Sequence, residues 1–335
     1  VRRGPVKGRK PGPAAAGPLY PQLAAFSQRL ATGERVTVAY FGGSITWCAT
    51  ASYPLKTSWR ALVTAGLEAR YPQARIRAVD AAIGGQPSQL GVFRMDRDVL
   101  PYKPDLCFVE FAVNDWEKPY SQETMEGIIR KLRACRADMA VVLVLIGSNA
   151  AYDRSPSQDR HIELAAHYGL PVIDIYSVVK KKLTEGLTTP EILTDTCHPN
   201  DAGYRLYADI VLAAFDELAA ATGSAKPAPA APLTANRYET ATMIELAAQP
   251  GLGGWKPAQP AVVGTWFDQQ PSRWLSSAVA PAADGAELAL EVECSGLGVY
   301  YEATQNGWPI LLAADGEPVL TLQTAPALPF SRVAY

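Results

Sequence analysis

The sequence predicts an α/β protein, in which a three-layer αβα domain built on a five-stranded parallel sheet is followed by a smaller β-sandwich. Three observations carry this. Five short β-branched or aromatic runs alternate with amphipathic helical patterns over residues 35–221. The runs end in glycine or polar turns. A Pro- and Ala-rich stretch at 222–235 then separates this region from residues 236–335, where apolar residues alternate with period two. Residues 1–34 read as a lead segment, 35–221 as the α/β domain, 222–235 as a linker and 236–335 as the sandwich.

The first run, Val36-Thr37-Val38-Ala39-Tyr40-Phe41, has the composition of a parallel strand buried on both faces, and Gly42-Gly43 ends it in a tight turn. Ser44 therefore stands at the carboxyl end of a strand. The helical stripe of Trp59, Leu62, Val63 and Leu67 follows over 58–70. A second strand, 76–83, ends at Gly84-Gly85, and a third, 106–111, ends at Ala112-Val113-Asn114-Asp115. Met125, Ile128, Ile129 and Leu132 mark a helix over 124–137. Strands at 141–146 and 171–175 flank a helix at 157–167, and a helix at 201–218 closes the unit. Repeated strand–helix alternation implies right-handed crossovers, and ligands of such sheets bind beyond the carboxyl ends of the strands. Ser44, Gly85 and Asn114 all fall on that edge.

Beyond the linker, the period-two run 287–294, the glycine turn before Val299-Tyr300-Tyr301, and Asp315-Gly316 ahead of Pro318-Val319-Leu320-Thr321-Leu322 are antiparallel strand and hairpin signals. Arg332-Val333-Ala334 resembles one more strand, so the sandwich is either incomplete or completed by other segments. Trp255, Trp266, Trp274 and Trp308 serve either as its aromatic core or as stacking surfaces for sugars, with core the expectation for most.

Composition excludes several classes. The 335 residues, 48% hydrophobic and 19% charged, suit a globular protein of two domains. A net charge of -2 leaves no footprint for nucleic acid, and the basic opening of the chain reads as a flexible lead. No run reaches the ~18 apolar residues of a membrane span. No metal, redox or nucleotide-loop motif is present, so neither metal nor cofactor is expected. His161 and His167 lie on a predicted helix as packing or surface residues. The five cysteines, an odd number, make no disulfide framework, although Cys48 and Cys197 both sit beside the candidate site and their pairing is left open. Reduced thiols favour a cytoplasmic location, with a secreted or periplasmic protein after signal removal as the alternative.

Ser44 and the run Asp195-Thr196-Cys197-His198-Pro199 supply a serine, a histidine and an aspartate, the minimum set for attack of a hydroxyl on an acyl carbon. The spacing of Asp195 and His198 lets one short loop bring carboxylate to imidazole. Pro199-Asn200-Asp201 follows as a helix start that fixes the loop.

Taken together, Gly42-Gly43-Ser44-Ile45, Ile83-Gly84-Gly85, Asn114-Asp115 and Asp195-Thr196-Cys197-His198 resemble the four sequence blocks of the SGNH/GDSL hydrolases, in their order and over about residues 35–221. The first block departs from Gly-Asp-Ser-Leu, and the third has Ala112 where Gly is common. Residues 90–100 and 109–115 are most similar to a bacterial branch that deacylates carbohydrates and carries a C-terminal β-sandwich. The resemblance implies a flavodoxin-like fold and a serine esterase, with Ser44 as nucleophile, His198 as base and Asp195 as its orienting acid. It also implies an oxyanion hole made by the backbone N–H of Ser44, the backbone N–H of Gly85 and the Asn114 amide, each donor contributing ~2.7–4 kcal/mol to lowering the barrier. Gly85 suits close approach of backbone to substrate, the alternative being a plain turn glycine; for Asn114 the alternative is a turn cap. Asp115 is expected to be structural. Trp47 and Trp116 either wall the substrate pocket or lid the sheet edge.

Three functions compete: removal of short acyl groups, foremost acetyl, from a carbohydrate; lipid ester or thioester hydrolysis; and sugar binding without catalysis. The first is favoured, because no long apolar insertion supplies an acyl-chain tunnel and a β-sandwich is an expected companion of polysaccharide substrates.

Overall fold

Apolar runs flanked by glycine turns form the sheet where the sequence places it: β1 Arg35–Gly42, β2 Arg75–Asp80, β3 Leu106–Glu110, β4 Ala140–Leu145 and β5 Val172–Asp174. All neighbours pair parallel, in the order β2-β1-β3-β4-β5. The order turns around between β1 and β3, which is the switch point where open α/β sheets bind ligands. In this computed structural model the described residues are 19–149, 151–224, 231–259, 275, 277–304, 307–324 and the backbone of 332–334. The chain divides into two units, Val1–Met243 and Ile244–Tyr335.

Seven helices of the first unit cover the sheet: α1 Pro21–Ala31, α2 Trp59–Arg70, α3 Ser88–Asp98, α4 Ser121–Cys135, α5 Pro156–Tyr168, α6 Ile175–Thr184 and α7 Asp201–Ala219. Alternate residues of β1 face opposite layers. Val38 and Tyr40 pack in one core with residues of α1, α2, α6 and α7, while Ala39 and Phe41 pack in the other with residues of α3, α4 and α5. Burial on both faces is why the strands read as continuous apolar runs rather than alternating ones. β2 and β5 are the edge strands, and β2 is the more exposed.

The structure adds to the lead segment and moves the boundary after the linker. Within 1–34, α1 packs Leu23, Phe26 and Leu30 into the sheet core, so residues 21–31 belong to the domain, while 1–18 lie outside the described residues. Residues 231–241 strap along α4: the Glu126 carboxylate accepts from the backbone N–H of Leu233 and Thr234 at 2.5 and 2.7 Å. Glu123 pairs with Arg237 at 2.6 Å, Arg130 with Glu239 at 2.6 Å, and Lys131 Nζ donates to the Ala241 carbonyl at 2.7 Å. Residues 225–230 of the predicted linker lie outside the described residues.

Among the described residues, the second unit holds antiparallel pairs: β6 Trp255–Ala258 with β7 Ala278–Pro281, β8 Tyr301–Ala303 with β11 Arg332–Ala334, and β9 Ile310–Ala314 with β10 Glu317–Leu322. The last pair is a hairpin closed by Asp315-Gly316, with φ of +52° and +84° as a two-residue turn of this kind requires. The alternating run 287–294 is not a strand and is mostly exposed; among the described residues it joins none of these ladders, and the Gly254 N–H donates to the Glu287 carbonyl at 3.2 Å. Trp255 is partly buried and donates to the Ala286 carbonyl, whereas Trp308 is exposed rather than core. Trp266 and Trp274 lie outside the described residues. Among the described residues, no helix is long and apolar enough to cross a membrane.

Candidate active site

The site begins where β1 and β3 end side by side. A Cβ on Gly42 would stand 2.4 Å from the Glu110 carbonyl oxygen, and one on Gly43 would stand 1.9 Å from Asn114 Oδ1. Both contacts are below any real Cβ distance, so two glycines are what allows the two turns to nest. The chain then winds into one helical turn, Ser44–Trp47, whose last carbonyls are capped from α2: the Arg60 guanidinium donates to the carbonyls of Thr46 and Trp47 and pairs with Asp80 at 3.1 Å.

A second loop approaches from between α6 and α7. Asp195 Oδ1 accepts from the backbone N–H of Cys197 at 2.9 Å and of His198 at 2.7 Å, closing the loop on itself. Asp195 Oδ2 lies 2.7 Å from His198 Nδ1, and His198 Nε2 lies 2.8 Å from Ser44 Oγ. An ionised carboxylate only accepts, so Nδ1 carries the proton and Nε2 presents its lone pair to the Ser44 hydroxyl. Burial by itself raises the Asp195 pKa, but the two backbone N–H groups and the imidazole outweigh it and hold the carboxyl below its ordinary value.

Several contacts fix this loop relative to Ser44. Asn200 caps α7 by accepting from the Gly203 N–H at 3.0 Å, and Thr194 N–H donates to the His198 carbonyl at 2.8 Å. The segment after the Ser44 turn reaches across: Thr50 Oγ1 donates to the Pro199 carbonyl at 2.6 Å and the Ser52 N–H to Asp201 at 2.9 Å.

The remaining predicted residues sit as follows. Gly85 has a φ of +73°, and a Cβ there would meet nothing within 4 Å, so the backbone faces open space in a conformation that favours glycine. Asn114 follows β3 in the turn Ala112–Asp115, and no group among the described residues hydrogen-bonds its side chain. Asp115 is fully buried and structural: it accepts from the Ser88 N–H and hydroxyl at the start of α3 and pairs with His161 at 3.1 Å. His161 is accordingly a buried packing residue. Trp47 is 9% exposed. Trp116 is half-buried with a φ of +40°, a strained value for an aromatic residue, and the N-terminus of α5 holds it: Ser157 donates both its N–H and its hydroxyl to the Trp116 carbonyl.

All five cysteines are free. Cys48 is buried and donates to the Thr46 carbonyl; Cys197 is half-buried with Sγ 3.5 Å from His198 Nδ1. Burial, then the Asp195 charge, pushes the Cys197 thiol up to about 11.

Two buried charged residues beneath the site escaped the sequence reading. Glu110, at the end of β3, accepts from Thr46 Oγ1 at 3.0 Å, and burial first, then the Asp115 charge, raises its carboxyl to about 7. Its signal was an acid closing an otherwise apolar strand. Arg94 on α3 donates to the carbonyls of Ala81 at 2.6 Å and Gly42 at 3.3 Å, tying the ends of β2 and β1 together, and lies 4.7 Å over the Phe41 ring.

With this geometry in view, the comparisons are specific. The sequence model of the GDSL-like Lipase/Acylhydrolase family matches residues 40–206, a span that holds Ser44, Gly85, Asn114, Asp195 and His198. The chain belongs to this family. It is a carboxylic ester hydrolase of the SGNH/GDSL type. Among solved structures it is similar to a two-domain esterase (CEX) active on acetylated mannans, co-crystallised with mannopentaose, at TM-score 0.79 and 28% identity over 95% of this chain and 85% of that one. A second structure of a two-domain esterase (CEX) active on acetylated mannans gives TM-score 0.61 and 33% identity over 68% of this chain and 61% of that one. No curated protein matches the chain.

Proposed function

We propose that this esterase removes short acyl groups, foremost O-acetyl, from a carbohydrate through a Ser-His-Asp triad and an acyl-enzyme intermediate. The observation that carries the reading is the unbroken hydrogen-bonded chain Asp195–His198–Ser44, at 2.7 and 2.8 Å, on the carboxyl edge of the sheet beside Asn114.

Ser44 Oγ attacks the acyl carbonyl while His198 Nε2 takes its proton, and the ionised Asp195 stabilises the imidazolium and fixes its tautomer. The Ser44 N–H, the Gly85 N–H and the Asn114 amide receive the oxyanion of the tetrahedral intermediate. Collapse expels the sugar alkoxide, which takes the proton from His198. Water, deprotonated by the same imidazole, then hydrolyses the acyl-serine. Trp47 and Trp116, which follow the nucleophile turn and the Asn114 turn, are the candidate walls for acyl group and sugar. The similarity to esterases active on acetylated mannans favours a carbohydrate substrate over a lipid.

Release of acetate from a panel of acetylated glycans, set beside hydrolysis of p-nitrophenyl acetate and octanoate, tests the proposal. Acetyl glycans should be deacetylated, and kcat/KM for acetate should exceed that for octanoate. A preference for octanoate would move the protein to lipid esters.

A further inference from the structure

We propose that the loop 195–198 is a zinc site whose occupancy switches the esterase off, an inference that rests on the reading of His198 as general base. Among the described residues, one group of three His, Cys or carboxylate side chains brings its ligand atoms within 4.8 Å of one another: Asp195, Cys197 and His198. The oxygen, sulfur and nitrogen donors together suit zinc, and three protein ligands leave the fourth tetrahedral position for water. The exposed Asp195 side chain, 47% accessible, gives entry from solvent.

The site needs side-chain rotations to close. With Zn–S of ~2.3 Å and Zn–N of ~2.0–2.1 Å, a tetrahedral angle sets sulfur and nitrogen about 3.5 Å apart; Cys197 Sγ lies 3.5 Å from His198 Nδ1 but also 3.8 Å from Nε2, beside the ring, so its side chain has to swing toward the Nδ1 edge. Asp195 Oδ2, now 2.7 Å from Nδ1, has to open to about 3.4 Å to share the ion. Both oxygens belong to one carboxylate, so this rotation of an exposed side chain also loosens the Oδ1 contacts to the Cys197 and His198 N–H groups, and metal binding opens the loop it uses.

The consequence for the triad follows from the proton count. Zinc replaces the proton on Nδ1, which moves to Nε2, and the Cys197 thiol loses its proton to water as it becomes a thiolate ligand. Nε2–H then donates to Ser44 Oγ instead of accepting from it. The imidazole can no longer take the serine proton, so the nucleophile is silent until the metal leaves. Cys197 takes no part in ester hydrolysis and supplies the ligand that makes the loop a metal trap.

Cobalt(II) is the spectroscopic probe, added to Ser44→Ala so that binding is read without turnover. One equivalent should give a thiolate-to-cobalt absorption band in the near ultraviolet, absent in Ser44→Ala/Cys197→Ala, and zinc should displace it. In the wild type, zinc should inhibit p-nitrophenyl acetate hydrolysis reversibly, with chelator restoring the rate. Cys197→Ser and Cys197→Ala should keep metal-free activity and need roughly tenfold or more zinc for half-inhibition, at least the loss seen when a metal site's supporting contacts are removed. Absence of the cobalt band, or equal zinc sensitivity in the cysteine variants, overturns the site. A cobalt band with full activity at saturating metal overturns the switch, whereas full metal-free activity of His198→Ala overturns the reading of His198 as base on which the switch rests.

Discussion

The Asn114 side-chain oxygen occupies the space where a Cβ on Gly43 would stand, 1.9 Å from it. Gly43 and the amide proposed to receive the oxyanion therefore share one steric envelope, across the ends of β1 and β3. Glycine at 43, where the family name expects aspartate, is what lets the Asn114 amide lie against the Ser44 turn here.

Gly43→Ala should consequently act through Asn114. The methyl group displaces the amide, and kcat should fall by ~10²–10³, the effect of losing one oxyanion donor. Steady-state kinetics with a thermal melt checks this. Unchanged kcat with a lowered Tm would reduce Gly43 to a packing residue.

Asn114→Ala should give the same loss in kcat, ~10²–10³, with KM little changed, because the amide strengthens its hydrogen bond only as the carbonyl becomes an oxyanion. The two variants combined should lose hardly more than either alone, since both remove one interaction. A rise in KM at constant kcat would make Asn114 a substrate-binding group.

Glu110 carries a pH dependence of its own. Burial raises its carboxyl to about 7 in the folded protein, above the ordinary 4.5. A group shifted upward contributes stability that is fully present below its unfolded pKa and is lost as pH rises through the folded value, here over pH 4.5 to about 7. Glu110→Gln keeps an acceptor for Thr46 but does not titrate. Its stability relative to wild type should therefore climb with pH across this window, by on the order of 3 kcal/mol. Denaturant melts from pH 5 to 8 read the difference directly, and a flat difference contradicts the buried, titrating carboxyl.

Much of this was legible in the sequence because the inner strands β1, β3 and β4 are buried on both faces, which turns each into an apolar run ending at a glycine or polar turn. Ser44, Asp195 and His198 stood out because a serine at a strand end and an Asp-x-x-His run before a helix start have few structural roles to be confused with. The missed features depend on distant partners. Leu23, Phe26 and Leu30 of α1 needed a sheet to pack against, and Arg94 and Glu110 are charged groups that only the folded strand ends make tolerable. Thr234 looked like linker and Arg237 and Glu239 like the start of a second domain, yet their partners are the acids and Arg130 of α4. The run 287–294 has strand periodicity, but periodicity specifies a face and not the pairing that makes a strand.

The central claim, that Ser44 is the acylated nucleophile, is tested most directly by mass spectrometry of enzyme quenched during turnover of p-nitrophenyl acetate, with Ser44→Ala assayed in parallel. The account predicts an acetyl adduct on the peptide containing Ser44, and a Ser44→Ala variant that folds and retains less than about one per cent of wild-type turnover, a generous bound for loss of a triad nucleophile. An adduct on another residue, or turnover by Ser44→Ala above that level, would contradict it.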